Sequence, residues 1–214
     1  MKMHYRTIEL VVAASVVVIS LASLFVAVFQ GIVMDRTMKA SVMPVIQVGH
    51  GNVGEDRESW VMTITVHNTG LGPADIRYFG MRWQGEPIRD TSQFLARCCA
   101  PDSVPEDQRL GYMHQAFRDG EMALVFDEVQ SRFLAPQERV DFIAFDRPDA
   151  ETQPRGHAVW QALDLVRHDL RFDVCYCSVF EDCWLARFPA QSREPVARCD
   201  IADWSAEPGP NEAG

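Results

Sequence analysis

The chain has 214 residues, 47% of them hydrophobic by type, with 20 basic against 30 acidic residues and a formal net charge of −10. That balance disfavours polyanionic partners, nucleic-acid phosphates and anionic lipid headgroups alike, and otherwise serves ordinary solubility. Beyond Met34 about 180 residues remain, enough for one domain with a substantial core rather than two.

From Leu10 to Met34 runs an uncharged, strongly apolar stretch of 25 residues. As a helix rising about 1.5 Å per residue it is roughly 37 Å long, against a hydrocarbon core of about 30 Å, so it predicts a transmembrane helix with some tilt. A cleaved signal peptide would have an apolar core of about 7–15 residues ending in a small-x-small site. This run is longer, and its end, Val26-Ala27-Val28-Phe29-Gln30, is too bulky for that site. Lys2 and Arg6 on one flank balance Arg36 and Lys39 on the other, so the positive-inside rule returns a tie. Nine residues precede the span and everything foldable follows it, which favours a signal anchor with an exported carboxyl side. The expected layout is a cytoplasmic tail (1–9), the transmembrane helix (10–34), a polar connector (35–42), an exported domain (43–204) and a disordered tail (205–214). Within the span, Ser23, Ala27 and Gly31 recur every four residues and line one stripe where another helix can approach closely. Setting Lys2, Arg6 and Glu9 aside leaves 18 basic and 29 acidic residues, a net charge of about −11 on the exported side.

Strand-like runs follow the connector. Trp60, Met62, Ile64 and Val66 alternate with Val61, Thr63, Thr65 and His67, the period of a half-buried strand over Trp60 to Asn68. From Ala74 to Trp83 the alternation slips near Arg77-Tyr78, which predicts a β-bulge. Further strands are expected at Met122 to Phe126, Arg139 to Phe145, Arg171 to Phe180 and Cys183 to Phe188, with a weaker one at Met43 to Gly49. The last pair has hairpin spacing around Glu181-Asp182. Thr91 to Cys99 and Ala158 to His168 read as helices, and the Pro-rich acidic segments Ala100 to Gln108 and Asp146 to Gln153 as loops. The pattern is mainly β, an antiparallel sandwich with one or two inserted helices.

The stretch from Ile64 through Asn68-Thr69-Gly70 and Pro73-Ala74 to Ile76, then Met81-Arg82-Trp83-Gln84-Gly85, resembles the strand, turn and second strand of immunoglobulin-like domains of the CARDB type. With the amino-terminal anchor and the late Tyr176-Cys177-Ser178-Val179-Phe180 and Cys183-Trp184, the layout is similar to single-pass envelope proteins of bacteria. The resemblance implies an immunoglobulin-like fold, an inner-membrane location with a periplasmic domain, and a binding or structural role without an activity. The turn has its own local reason: Asn68 and Gly70 tolerate positive φ, and Pro73 fixes φ where the next strand begins.

Six cysteines, Cys98, Cys99, Cys175, Cys177, Cys183 and Cys199, all lie beyond the span, and an even number in an exported domain favours disulfides. On one strand Cys175 and Cys177 point the same way about 6.6 Å apart, at the outer limit for a bridge, so each is expected to pair elsewhere. Adjacent Cys98 and Cys99 are not expected to join. The economical arrangement ties Cys98 or Cys99, and Cys199, to the Cys175–Cys183 strand and hairpin. Cys175, Cys177, Cys183 and Cys199 also offer four metal donors, although their spacing lacks the paired C-x-x-C of zinc ribbons. Redox chemistry has no C-x-x-C to announce it.

No nucleophile elbow, zinc-protease, P-loop, dinucleotide or EF-hand pattern occurs, so no catalytic residue and no cofactor is nominated. His4, His50, His67, His114, His157 and His168 are scattered without ligand spacing, Asp127, Glu128 and Asp141 read as solvated charges, and Trp60, Trp83, Trp160, Trp184 and Trp204 read as core. The leading expectation is a non-enzymatic envelope protein that binds or scaffolds another envelope protein, or itself through the span. The alternative is a membrane-anchored enzyme or thiol- or metal-handling protein using the Cys175–Cys199 cluster.

Overall fold

The computed structural model describes residues 2–54, 56–190 and 192–199, of which 2–5 and 7 without their side chains. It divides into two compact units, Met1–Val42 and Met43–Gly214. The expected tail at 205–214 and Trp204 lie outside the described residues.

The first unit is a single helix, α1 (Lys2–Ser41). Its stretch Ile8–Ser41 is long and apolar enough to cross a membrane, and none of its most apolar window is buried by protein. Ser15, Ser20 and Ser23 turn their hydroxyls onto the carbonyls of Val11, Val16 and Ile19 at 2.8 Å, which satisfies these three hydroxyls within the helix itself. The connector at 35–42 is not a separate loop: the helix continues through it to Ser41.

In the second unit the strands are β1 (Ile46–Gly51), β2 (Val61–Asn68), β3 (Ala74–Trp83), β4 (Glu86–Pro87), β5 (Leu124–Phe126), β6 (Phe133–Leu134), β7 (Arg139–Asp146), β8 (Arg171–Cys177), β9 (Cys183–Phe188) and β10 (Ser192–Val196). Three helices are interspersed, α2 (Thr91–Cys99), α3 (Arg109–Arg118) and α4 (Pro154–Val166). The strands form two open antiparallel sheets, ordered β1-β2-β7-β5 and β10-β9-β8-β3-β4, with β6 also on β3. On β2 the alternation is as the sequence predicts, with Met62, Ile64 and Val66 buried and the residues between them half-buried. These side chains share one core with Ile76, Val174 and Tyr176 of the other sheet and with Leu95, Met113 and Leu163 of the three helices. Phe79 on β3 and Phe142 on β7 meet across the two sheets with ring centroids 4.7 Å apart.

The bulge is present: the β3–β8 register shifts between Ile76 and Tyr78. Four details differ from expectation. The β8–β9 connection is a five-residue loop from Ser178 to Asp182, because β8 already ends at Cys177 opposite Cys183, and Glu181 takes the left-handed conformation (φ 60°). α3 is a third helix beyond the one or two expected; Met113 and Ala116 give it a buried face, but Gly111 interrupts its pattern. β10 carries Arg193, Glu194 and Pro195, a composition that reads as loop and is tolerated because β10 is an edge strand paired on one side. Trp60 is 45% exposed and lies under the Arg147 guanidinium, 4.9 Å from its ring centroid, rather than in the core.

Candidate functional site

The cysteines of β8 sit on the sheet face opposite the core. Val174 and Tyr176 point into the core cluster, so Cys175 and Cys177 point away from it, yet they are 0% and 1% exposed. Their cover includes Cys199, half-buried just beyond β10. Cys175 and Cys199 lie at disulfide distance with Cα atoms 5.7 Å apart, and Cys177 and Cys183, opposite each other in the β8–β9 register, do so at 4.0 Å. The two pairs touch: the Cys177 and Cys199 sulfurs are 3.9 Å apart, and those of Cys177, Cys183 and Cys199 all lie within 4.8 Å of one another. Four sulfurs therefore converge from β8, β9 and the segment after β10. As pairs they are cross-links; as thiolates they would present the soft donors that zinc prefers, and the two states exclude each other.

Cys175 and Cys177 each pair elsewhere, as strand geometry requires, and Cys199 is tied back to β8. The expected link from Cys98 or Cys99 to this strand is corrected: those two sulfurs lie at disulfide distance from each other, at the end of α2. Both cysteines stand at the carboxyl end of α2, with Cα atoms 3.7 Å apart.

A second feature lies between the sheets. The edge of β1 and the strands β9 and β10 border a cleft of about 420 Å³ lined by Val45, Ile46, Val48, Ala186, Phe188 and Arg193, among others. Among the described residues β1 pairs with β2 alone, and its outer edge is unpaired by any other described strand. Behind two residues of this wall lies the buried Tyr176 hydroxyl, which has the Arg193 side chain and the Ile46 backbone as polar neighbours. Burial pushes its pKa up, and the Arg193 guanidinium and Ile46 backbone, both at the cleft, oppose that rise. Arg193 also stacks over Trp184, 5.7 Å from its ring centroid. Nothing in the sequence announced this cleft, because its walls come from strands about 140 residues apart.

The Asn68 turn does not use the reason the sequence offered. Neither Asn68 nor Gly70 is among the positive-φ residues. Instead Asn68, 0% exposed, is a polar hub: its amide nitrogen donates to the carbonyls of Gly72 (2.8 Å), Ala135 (3.1 Å) and Leu134 (3.2 Å). Its oxygen accepts from the backbone nitrogens of Gly70 (3.0 Å) and Val45 (3.3 Å).

Scattered in sequence, His50 and His168 meet in the fold, rings 5.1 Å apart and edge to face. Arg167 contacts His50 Nδ1 at 2.6 Å, and burial, then Arg167, then His168 lower the His50 pKa. That cationic surrounding disfavours a metal ion. Asp127 and Asp141 pair with Arg132 and Arg139 at the surface. Ser23, Ala27 and Gly31 lie along one side of α1, with Ser23 and Ala27 bordering a shallow groove with Ile19, Ala22, Val26 and Gln30. No family model matches the chain, and no curated protein or solved structure matches it.

Proposed function

We propose that this is a single-pass bacterial inner-membrane protein, amino end cytoplasmic, whose periplasmic immunoglobulin-like domain is a non-enzymatic binding or scaffolding module. Its ligand is an extended, largely apolar segment of another envelope protein, laid along β1 in the cleft. The observation that carries the reading is that cleft, walled by apolar side chains with Gln47 and Ser192 among them, and bordered by a strand edge that no described strand pairs, with one guanidinium at its rim. An added strand would complete the backbone hydrogen bonds of β1, and alternate side chains would enter the apolar wall. The long apolar helix and the cysteines at disulfide distance support a tethered domain in an oxidising compartment.

Two measurements test it. A reporter pair fused after Gly214, one active only outside the cytoplasm and one only inside, is expected to score outside; the reverse removes the export. A photo-crosslinking residue at Val48 is expected to trap a discrete membrane partner that the same residue at exposed Arg118, away from the cleft, does not. Equal trapping at both sites removes the cleft as the binding surface.

A second reading rests on a specific observation, the convergence of three sulfurs within 4.8 Å. In a reduced chain, Cys175, Cys177, Cys183 and Cys199 would form a thiolate metal site. Stoichiometric zinc in protein purified without chelators, together with no bridge between these cysteines, is the result that would favour it.

A further inference from the structure

We infer that the two bridges of the sulfur cluster are exchangeable, and that a dithiol which opens Cys177–Cys183 is answered by transfer of the second bridge from Cys175–Cys199 to Cys177–Cys199. The basis is a distance and an order of exposure. The Cys177 and Cys199 sulfurs are 3.9 Å apart while each is paired with another cysteine, so a thiolate at Cys177 begins at contact distance from the sulfur it attacks. Disulfide exchange proceeds by attack of a thiolate on a disulfide sulfur, in line with the bond that breaks, so a start at contact distance leaves only a small reorientation to make. Within this pair Cys183 is the more exposed, at 6% against 1% for Cys177, so a thiol that opens this bridge attacks Cys183 and releases Cys177 inside the cluster. Cys175, the leaving thiol of the second step, is 0% exposed and stays beneath Cys199.

The chemistry balances in three steps. One thiolate of the dithiol attacks the Cys183 sulfur, the Cys177–Cys183 bond breaks, and Cys177 leaves as thiolate. Cys177 then attacks the Cys199 sulfur, forms Cys177–Cys199 and expels Cys175 as a thiolate, which takes up the proton that the first thiol of the dithiol gave up. Finally the second thiolate of the dithiol attacks its own mixed disulfide and frees Cys183, which is protonated in turn. Net, the dithiol is oxidised to its cyclic disulfide, Cys175 and Cys183 become thiols, and one bridge survives in a new place. The carboxyl-terminal segment stays fastened to β8 throughout, and its anchor point moves by two residues, from Cys175 to Cys177.

This rests on the export reading only in requiring that the bridges form. The full chain in detergent is titrated with dithiothreitol while tryptophan fluorescence reports that the fold persists. Aliquots are acid-quenched and alkylated, and peptides are fragmented on either side of Tyr176 so that Cys175 and Cys177 are told apart. Singly reduced, folded protein is expected to carry Cys177–Cys199 with Cys175 and Cys183 alkylated. If it carries only the original pairs, or if the crossed bridge arises only after unfolding, the exchange is overturned while the export reading stands. Six alkylatable thiols before any reductant would overturn both. A second measurement uses Cys183→Ser, in which alkylation of the remaining thiol should divide between Cys175 and Cys177; confinement to Cys177 overturns the transfer.

Discussion

The side-chain oxygen of Asn68 accepts the backbone N–H of Gly70 at 3.0 Å, and this short contact fixes the crossing from β2 to β3, which belong to different sheets. Through the same side chain the turn is tied to the start of the domain at Val45 and to the β6 region at Leu134 and Ala135. Gly70 completes the joint by closeness: a Cβ there would fall under 3.0 Å from backbone atoms of Met43, Pro44 and Val45.

Removing the hub should therefore be severe. Asn68→Ala strips partners from several buried backbone groups at once, each unsatisfied group being worth about 1–3 kcal/mol, so a loss of about 3 kcal/mol or more is expected. Gly70→Ala meets rigid backbone rather than a flexible side chain and should lose about 3 kcal/mol. Denaturant midpoints of the full chain in detergent, read by tryptophan fluorescence, check both. A shift within error for Asn68→Ala would show that the turn holds without its hub.

Gly156 opens the same question in the helical layer. A Cβ on Gly156 would collide with the backbone carbonyl of Glu121, so Gly156→Ala must either move α4 or break its junction with the segment after α3. The expected outcome is a loss of about 2–4 kcal/mol, placing it with the overpacking substitutions. An unchanged melting temperature would mean that α4 shifts freely.

Much of this architecture was legible because it rests on local periodicity. The β2 alternation, the β3 slip at Arg77-Tyr78 and the extent of α2 are all consequences of which side chains face the core, which the order of residues records directly. The parts that stayed hidden depend on long-range placement. Asn68 was read as a turn former by residue type, but what it does depends on carbonyls at Leu134 and Ala135. The four sulfurs were named as a group, yet their spacing argued against a common site; the β8–β9 register and the return of the chain after β10 bring them together. The closeness of the Cys98 and Cys99 sulfurs depends on the backbone at the end of α2, which no residue pattern encodes. The cleft was invisible because an empty space between β1 and β10 has no residue of its own.

The Arg155–Glu121 pair should give the domain part of its acid sensitivity. Glu121 accepts from the Arg155 backbone nitrogen at 2.8 Å and from its Nε at 2.9 Å, and Asp119 also contacts the guanidinium. Hydrogen bonds from the Arg155 side chain are the main reason the Glu121 carboxyl lies below its ordinary value, with burial opposing. A carboxyl depressed in the folded state stabilises fully above its unfolded pKa of about 4.3, and that contribution disappears as pH falls through the folded value. Glu121→Gln should lower the melting temperature by roughly 2–6 °C at pH 7 and by progressively less below about pH 4.5. A gap between the two proteins that stays constant down to pH 3 would assign the effect to packing rather than to charge.

Tyr176 offers a test in the opposite direction. Its ring packs in the core against Trp184, with centroids 5.8 Å apart, while its hydroxyl is buried with no hydrogen bond of good geometry among the described residues, the Arg193 side chain and the Ile46 backbone being its polar neighbours. An unsatisfied buried hydroxyl destabilises by about 1–3 kcal/mol, so Tyr176→Phe should leave stability unchanged or raise it by about 1 kcal/mol. The same change bears on binding: the hydroxyl is buried and is not on the cleft wall, so Tyr176→Phe should leave cross-linking from Val48 unchanged. Stability and capture falling together would instead mark Tyr176 as a structural residue whose hydroxyl is satisfied within the fold.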